Sequence, residues 1–119
     1  DVVVPRSVIP LFLNKLKALA TKYEIKMVNF GHAGDGNIHV NIISDERNLE
    51  EMARVNKAVE ELFATTIEMG GTITGEHGVG ITKAPYLKWE TGDIALEMMS
   101  KLKKCWDPKG ILNPGKIFL

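Results

Sequence analysis

Cysteine is almost absent from this sequence of 119 residues, and so are the signals of several common protein classes. The single cysteine, Cys105, cannot form a disulfide within the chain. Fifteen Lys and Arg balance fifteen Asp and Glu, and without a basic excess we expect no nucleic acid or anionic membrane as a partner. The apolar runs are much shorter than a membrane span and no signal peptide is visible, so we expect no transmembrane segment.

The remaining composition is typical of a globular domain, with 45% hydrophobic and 25% charged residues. A length of 119 residues leaves little room for a second core, so we predict one domain over residues 1–119. The sequence begins at Asp1 rather than at methionine, which indicates a segment of a longer chain.

The periodicity of apolar residues predicts an α+β fold. The first predicted elements are a strand at 1–4 and a helix that Ser7 caps, with Pro10 in its first turn, and that ends at about Tyr23. The others are strands at 25–30 and 38–43, a helix at about 46–69, an irregular segment at 72–84 and a helix at about 93–106. The two adjacent central strands form a hairpin, which requires antiparallel pairing. We therefore expect a ferredoxin-like antiparallel sheet with helices packed on one face.

The hairpin carries two of the three histidines. Residues 30–41 read FGHAGDGNIHVN, and Asp35-Gly36 is typical of a two-residue type I′ turn. That turn places His32 directly opposite His39, with Cβ atoms about 4.5–5.5 Å apart on one face. Asn41 shares that face, while Ile38 and its alternate neighbours face the helices. The register predicts that both imidazoles can bind one metal ion, although ordinary solvated histidines remain the alternative.

A second unusual segment at residues 70–80 reads GGTITGEHGVG. Adjacent side chains in an extended loop diverge, so Glu76 and His77 are expected to have different roles. Glu76 is a candidate third ligand beside His32 and His39, and such a set suits catalytic Zn²⁺ or an Fe²⁺ or Mn²⁺ site. The alternative is a flexible surface loop. Its glycine spacing does not match a dinucleotide-binding loop.

Three motifs occur in a characteristic order, at residues 32–39 (HAGDGNIH), at 75–80 (GEHGVG) and at 107–116, where DP is followed by NPGK. In this order they resemble the C-terminal domain of FAD-linked oxidases. The similar group comprises glycolate oxidase flavoprotein subunits, D-lactate dehydrogenases and D-2-hydroxyglutarate dehydrogenases. The resemblance runs from about Val3 to the end of the chain.

The resemblance implies a role for each site residue. It implies that His32, His39 and Glu76 bind a divalent metal, with zinc expected and Mn²⁺ or Fe²⁺ as alternatives. It also implies that His77 faces the substrate as the general base and that Asn41 contacts the substrate. Asn113, in the third motif, is an implied flavin-side contact for the FAD cofactor.

The implied activity is oxidation of a D-2-hydroxyacid, of the glycolate or D-lactate type, to the 2-oxoacid with hydride transfer to FAD. The FAD-binding domain is missing from this chain, so the chain alone is expected to bind metal weakly or not at all and to show no turnover. Expected partners are a small 2-hydroxyacid, the FAD-binding domain and, as an open alternative, an iron–sulfur or other electron-acceptor subunit. The expected location is the cytoplasm, with mitochondria or membrane association through partners as alternatives.

Two other function classes remain open at this stage. In a metal-dependent hydrolase, the ion would activate water and His77 would act as base. In a non-catalytic module, the histidines would be structural and the sheet would dock a partner.

Overall fold

A computed structural model describes residues 1–118 and divides the chain into two compact units, with the second beginning at His77. The first unit contains β1 (Val2–Val3), a short 3₁₀ turn (Arg6–Val8), α1 (Ile9–Lys22), β2 (Lys26–His32), β3 (Asn37–Ile43) and α2 (Leu49–Glu68). The second unit contains α3 (Ala84–Trp106). Within the described residues, no helix is both long and apolar enough to cross a membrane.

The sheet of the first unit is antiparallel with the strand order β1–β3–β2. On the edge of β1 that faces away from β3, Val3 forms an isolated antiparallel bridge with Thr72, at the place where a fourth strand would lie. The chain therefore follows the ferredoxin-like order, with its last strand reduced to a single bridge. The expectation of an α+β fold with an antiparallel sheet is confirmed.

The core of the first unit lies between the sheet and its two helices. The buried apolar side chains include Val2, Val4, Phe12, Leu16, Leu19, Ile38, Val55, Ala58, Leu62 and Phe63. Burial of each larger apolar side chain stabilises the fold by roughly 1.5–3 kcal/mol. Because both helices cover one face of the sheet, the opposite face of β2 and β3 is more exposed. It carries polar side chains beside the exposed apolar residues Val28, Phe30 and Ile43.

The hairpin register differs from the expected one by two residues. Phe30 pairs with His39 and His32 pairs with Asn37, so the loop comprises the four residues 33–36. A type I′ turn requires a positive φ at both central residues. Gly36 has a φ of 75°, but Asp35 does not have a positive φ. The prediction that His32 lies directly opposite His39 is therefore wrong. A shift of two residues nevertheless preserves the side-chain face, so both histidines still share one face.

A contact from Val4, the residue that follows β1, explains this register. The backbone N–H of Val4 donates to the carbonyl of Gly36 at 3.0 Å. A Cβ at Gly36 would lie 2.1 Å from the Val4 carbonyl oxygen, so only glycine allows this approach. The long-range pairing with β1 therefore prevails over the local preference of Asp35-Gly36 for a two-residue turn.

The helix boundaries also correct the sequence predictions. Ser7 lies within the 3₁₀ turn, and α1 has Val8 as its N-cap without a side-chain hydrogen bond, so the expected Ser7 cap is absent. Pro10 occupies the first turn of α1, as expected. In α2, Asn48 is the N-cap and its side chain accepts a hydrogen bond from the backbone N–H of Glu51 at 3.1 Å.

The second unit is built around α3, which begins nine residues before the predicted start at Asp93. Gly92, with φ 73° and ψ 173°, interrupts the helical conformation and divides α3 into two segments. Asp107 ends the helix. Its side chain accepts hydrogen bonds from the backbone N–H groups of Ile111 and Leu112, at 3.0 and 2.9 Å. The expectation of one domain over residues 1–119 stays a prediction.

Candidate metal centre

The face of the sheet opposite the helices carries both hairpin histidines. His39 lies on β3 and only 10% of its side chain is exposed, whereas 61% of the His32 side chain is exposed at the end of β2. The two imidazole rings meet edge to face with centroids 5.7 Å apart. The ring of Phe30, which is directly opposite His39 on β2, has its centroid 5.1 Å from that of His39. The predicted pair is thus together, as diagonal rather than direct neighbours.

Glu76, the last residue of the first unit, completes a group of three potential ligands. Its Oε1 atom lies 3.2 Å from His39 Nε2 and 3.9 Å from His32 Nε2. Two donor atoms that each lie about 2.1 Å from a tetrahedral ion are about 3.4 Å apart. The spacing of His39 and Glu76 therefore suits a small divalent ion. His32 lies farther out, and among the described residues the group whose ligand atoms lie within 4.8 Å of one another includes Asp1, His39 and Glu76 but not His32. Two imidazoles and one carboxylate are ligands that Zn²⁺, Mn²⁺ and Fe²⁺ accept.

The segment that carries Glu76 runs back along β1 after α2. Val3 and Thr72 exchange two backbone hydrogen bonds, at 3.0 and 2.9 Å. Gly75 then passes so close to Asn37 that a Cβ would lie 2.9 Å from the Asn37 side chain. These contacts bring Glu76 over β3: Thr72 pairs with β1 through its backbone, and Gly75 can pass close to Asn37 because it has no side chain.

Two residues near this group had no role in the sequence predictions. The Asp1 carboxylate accepts hydrogen bonds from the backbone N–H groups of Gly75 and Glu76, and its oxygen lies within 4.8 Å of the ligand atoms of His39 and Glu76. Asn37 is 5% exposed and its Oδ1 has no hydrogen-bond partner among the described residues. A lone aspartate 75 residues away from its contact forms no recognisable pattern, so no sequence signal indicated it.

The remaining predicted site residues lie at three separate positions in the chain. Asn41 is exposed on β3, two residues past His39 and on the same face, as expected. His77 is the first residue of the second unit and is exposed. Asn113 lies after α3 with a φ of 46° and lines a surface cavity of the second unit together with Trp106.

A family model described as FAD linked oxidases, C-terminal domain, matches residues 1–117. The chain belongs to this family. An FAD-linked oxidase C-terminal domain thus accounts for all but the last two residues, and the resemblance inferred from the three motifs is confirmed.

Individual relatives of this FAD-linked oxidase domain are oxidases and dehydrogenases by name. The chain is 50% identical over 118 residues to the glycolate oxidase subunit GlcD of Bacillus subtilis, covering 99% of this chain and 25% of that protein. It is 40% identical over 118 residues to D-lactate dehydrogenase of Anaerostipes hadrus (98% and 25%). It is 40% identical over 125 residues to D-2-hydroxyglutarate dehydrogenase of Stutzerimonas stutzeri (99% and 26%). The domain therefore spans about a quarter of these relatives.

Proposed function

We propose that this domain is the substrate- and metal-binding half of a flavin-dependent dehydrogenase that oxidises a D-2-hydroxyacid to the 2-oxoacid. The observation that carries the proposal is the convergence of His32, His39 and Glu76 on one sheet face, with Asn41 two residues along the same strand. The names of the relatives support a substrate of the glycolate or D-lactate type.

His32, His39 and Glu76 would hold the metal ion through two imidazole nitrogens and one carboxylate. The ion, when bound, supplies a Lewis acid for the hydroxyl and carboxylate oxygens of a 2-hydroxyacid. Because His39 is mostly buried while His32 and Glu76 are more than half exposed, the three ligands leave an open side toward solvent. An open side is a requirement of a catalytic rather than a structural metal site.

The proton and the substrate would be handled by two further residues. His77 would accept the proton of the substrate hydroxyl, a task suited to imidazole because its ordinary pKa is near neutral pH. Asn41 offers an amide donor and an acceptor on the same face as His39, and would hydrogen-bond and orient the substrate. Glu76 and His77 are consecutive in the chain, so one peptide bond joins the proposed ligand to the proposed base.

The redox step requires a flavin that a separate FAD-binding domain would hold. FAD, when bound, supplies the acceptor for the substrate's Cα hydride. In this chain we assign only Asn113 to a flavin-side contact. The partners that we propose are the FAD-binding domain, a small 2-hydroxyacid and an iron–sulfur or other electron-acceptor subunit. The proposed location is the cytoplasm, or mitochondria in a eukaryote.

The test uses the longer flavoprotein that we propose contains this chain. Glycolate and D-lactate turnover with an artificial electron acceptor would be measured with and without a chelator, beside elemental analysis. We expect Glu76→Gln to lose bound metal and at least 100-fold in turnover, because the ligand charge is removed, while flavin content stays unchanged. Glu46→Gln, at an exposed glutamate outside the site, is the matched control.

Two outcomes would overturn the proposal. A metal-free wild-type protein with full activity, together with an active Glu76→Gln variant, would assign the histidines a structural role. Hydrolytic activity without any flavin requirement would instead support a metal-dependent hydrolase. The 119-residue chain alone is expected to show no turnover with an artificial acceptor.

A further inference from the structure

The carboxylate of Asp1 holds the backbone from which Glu76 projects. Asp1 Oδ2 accepts hydrogen bonds from the Gly75 N–H at 2.9 Å and from the Thr74 hydroxyl at 3.1 Å. Asp1 Oδ1 accepts a third from the Glu76 N–H at 3.1 Å. Both carboxylate oxygens are therefore engaged by three consecutive residues, and the last of them is the potential metal ligand.

Packing alone would not keep Glu76 in place. Its side chain is 54% exposed, and Gly75 before it has no side chain that could anchor the loop. Hydrogen bonds to a charged acceptor are roughly twice as strong as those between neutral groups. The three bonds to Asp1 thus constrain the backbone immediately before the Glu76 carboxylate.

A continuous set of contacts links this anchor to His39. Asp1 directly precedes β1, whose Val2 and Val3 pair with Ile38 and Asn37 of β3, the strand that carries His39. β1 therefore connects the strand bearing one potential ligand to the loop bearing another. At the end of this connection, His39 Nε2 and Glu76 Oε1 lie 3.2 Å apart.

The charge of Asp1 acts in the same direction. A carboxylate oxygen of Asp1 lies within 4.8 Å of the ligand atoms of His39 and Glu76. A negative charge at that distance favours a cation between the ligands. Backbone anchoring and local charge together would raise the affinity of the site for a divalent ion.

We propose that Asp1 is a positioning residue of the metal site, which sets the place of Glu76 through the backbone of residues 74–76. This inference rests on the proposed function, since it concerns the metal site of that function. Asp1 is assigned the positioning role because its carboxylate accepts three hydrogen bonds from the loop; Oδ1 accepts only one of them and a carboxylate oxygen has two lone pairs, so the experiment must also distinguish positioning from direct ligation.

The experiment has two arms with the same variants, Asp1→Ala and Asp1→Asn. The first arm measures amide hydrogen exchange of Gly75 and Glu76 by NMR in the metal-free 119-residue chain. The second measures the Kd for Zn²⁺ by chelator competition in the longer flavoprotein. The matched control is Asp45→Asn, which removes a carboxylate that accepts hydrogen bonds from Arg47 in another loop.

In the first arm, we expect Asp1→Ala to accelerate exchange of both amides at least about tenfold, because their charged acceptor is lost. In the second, we expect its Kd for Zn²⁺ to rise by about 10–100-fold, the usual effect of removing a group that orients a ligand. Asp1→Asn retains one acceptor oxygen and should give intermediate values in both arms. Asp45→Asn should leave both measurements unchanged.

Unchanged exchange of Gly75 and Glu76 in Asp1→Ala would overturn the proposal. A second contrary result is an Asp1→Asn variant that loses Zn²⁺ as completely as Glu76→Gln while the two amides keep their exchange rates, since Asp1 would then be a ligand itself. If the wild-type flavoprotein binds no metal, the metal site of the proposed function fails. The exchange arm would still decide whether Asp1 holds the loop.

Discussion

Replacement of Gly75 by alanine tests whether the Glu76 loop lies against β3 as described. An alanine Cβ at this position would lie 2.9 Å from Cγ, Nδ2 and Oδ1 of Asn37. Non-bonded carbon atoms normally approach to about 3.5–4.0 Å, so the two groups would overlap by roughly 0.6–1.1 Å. Asn37 is only 5% exposed and has little room to move away.

The expected magnitude follows from this overlap. Overpacking of a well-packed site costs about 1–3 kcal/mol, and Gly75 has no positive φ that would add backbone strain. If the loop moves instead of Asn37, Glu76 moves away from His39 and affinity for a divalent ion falls. We therefore expect Gly75→Ala to destabilise the first unit by about 1–3 kcal/mol and to weaken metal binding.

The matched control is Gly34→Ala, because a Cβ at Gly34 would meet nothing within 4 Å. That substitution should be neutral or stabilise by about 0.4–1 kcal/mol through a less flexible unfolded chain. Urea unfolding followed by circular dichroism, with hydrogen exchange on β3 as a local measure, compares the two variants. Equal stability of Gly75→Ala and Gly34→Ala would refute the close packing of the loop on Asn37.

Two further substitutions test the register and the end of α3. Gly36→Ala should destabilise the first unit by about 2 kcal/mol or more, since Gly36 has φ 75° and an added Cβ would lie 2.1 Å from the Val4 carbonyl oxygen. If the variant unfolds in urea like the wild-type protein, the close contact between Gly36 and Val4 is contradicted. The Lys103 side chain, with help from the backbone N–H of Leu112, lowers the pKa of Asp107 from its ordinary 3.8. The ionised Asp107 therefore stabilises the fold above about pH 4, and this contribution is lost as pH falls through the lowered pKa. Asp107→Asn should flatten the acid side of the Tm–pH profile. An unchanged profile would contradict this role of Asp107.

The local sequence pattern was sufficient to predict much of the fold. Apolar spacing indicated α1, α2 and the later part of α3, because helix periodicity depends on residues three and four positions apart. Alternation along β3 placed His39 and Asn41 on one face. The predicted pairing of the two strands placed His32 of β2 on that face too, although its register was wrong, since an error of two residues leaves the side-chain face unchanged.

The sequence was less informative where contacts between distant residues determine the outcome. The four-residue hairpin loop depends on Val4 meeting Gly36, and a turn preference read from Asp35-Gly36 alone does not include that contact. The first segment of α3 was missed because Gly92 breaks the helical periodicity in the middle of the element. In both cases a glycine adopts a positive φ whose consequence depends on its surroundings.

In the candidate site too, the local sequence indicated the residue types, whereas contacts between distant residues determined their geometry. The motifs alone identified His32, His39 and Glu76 as possible ligands, because residue type and face are properties of a short stretch of chain. The distances among them, and the hydrogen bonds from the Glu76 loop to Asp1, depend on how β1 lies between β3 and the segment at Thr72. Such long-range pairing has no counterpart in local periodicity, because it brings together residues separated by some seventy positions and is set by packing of the whole unit.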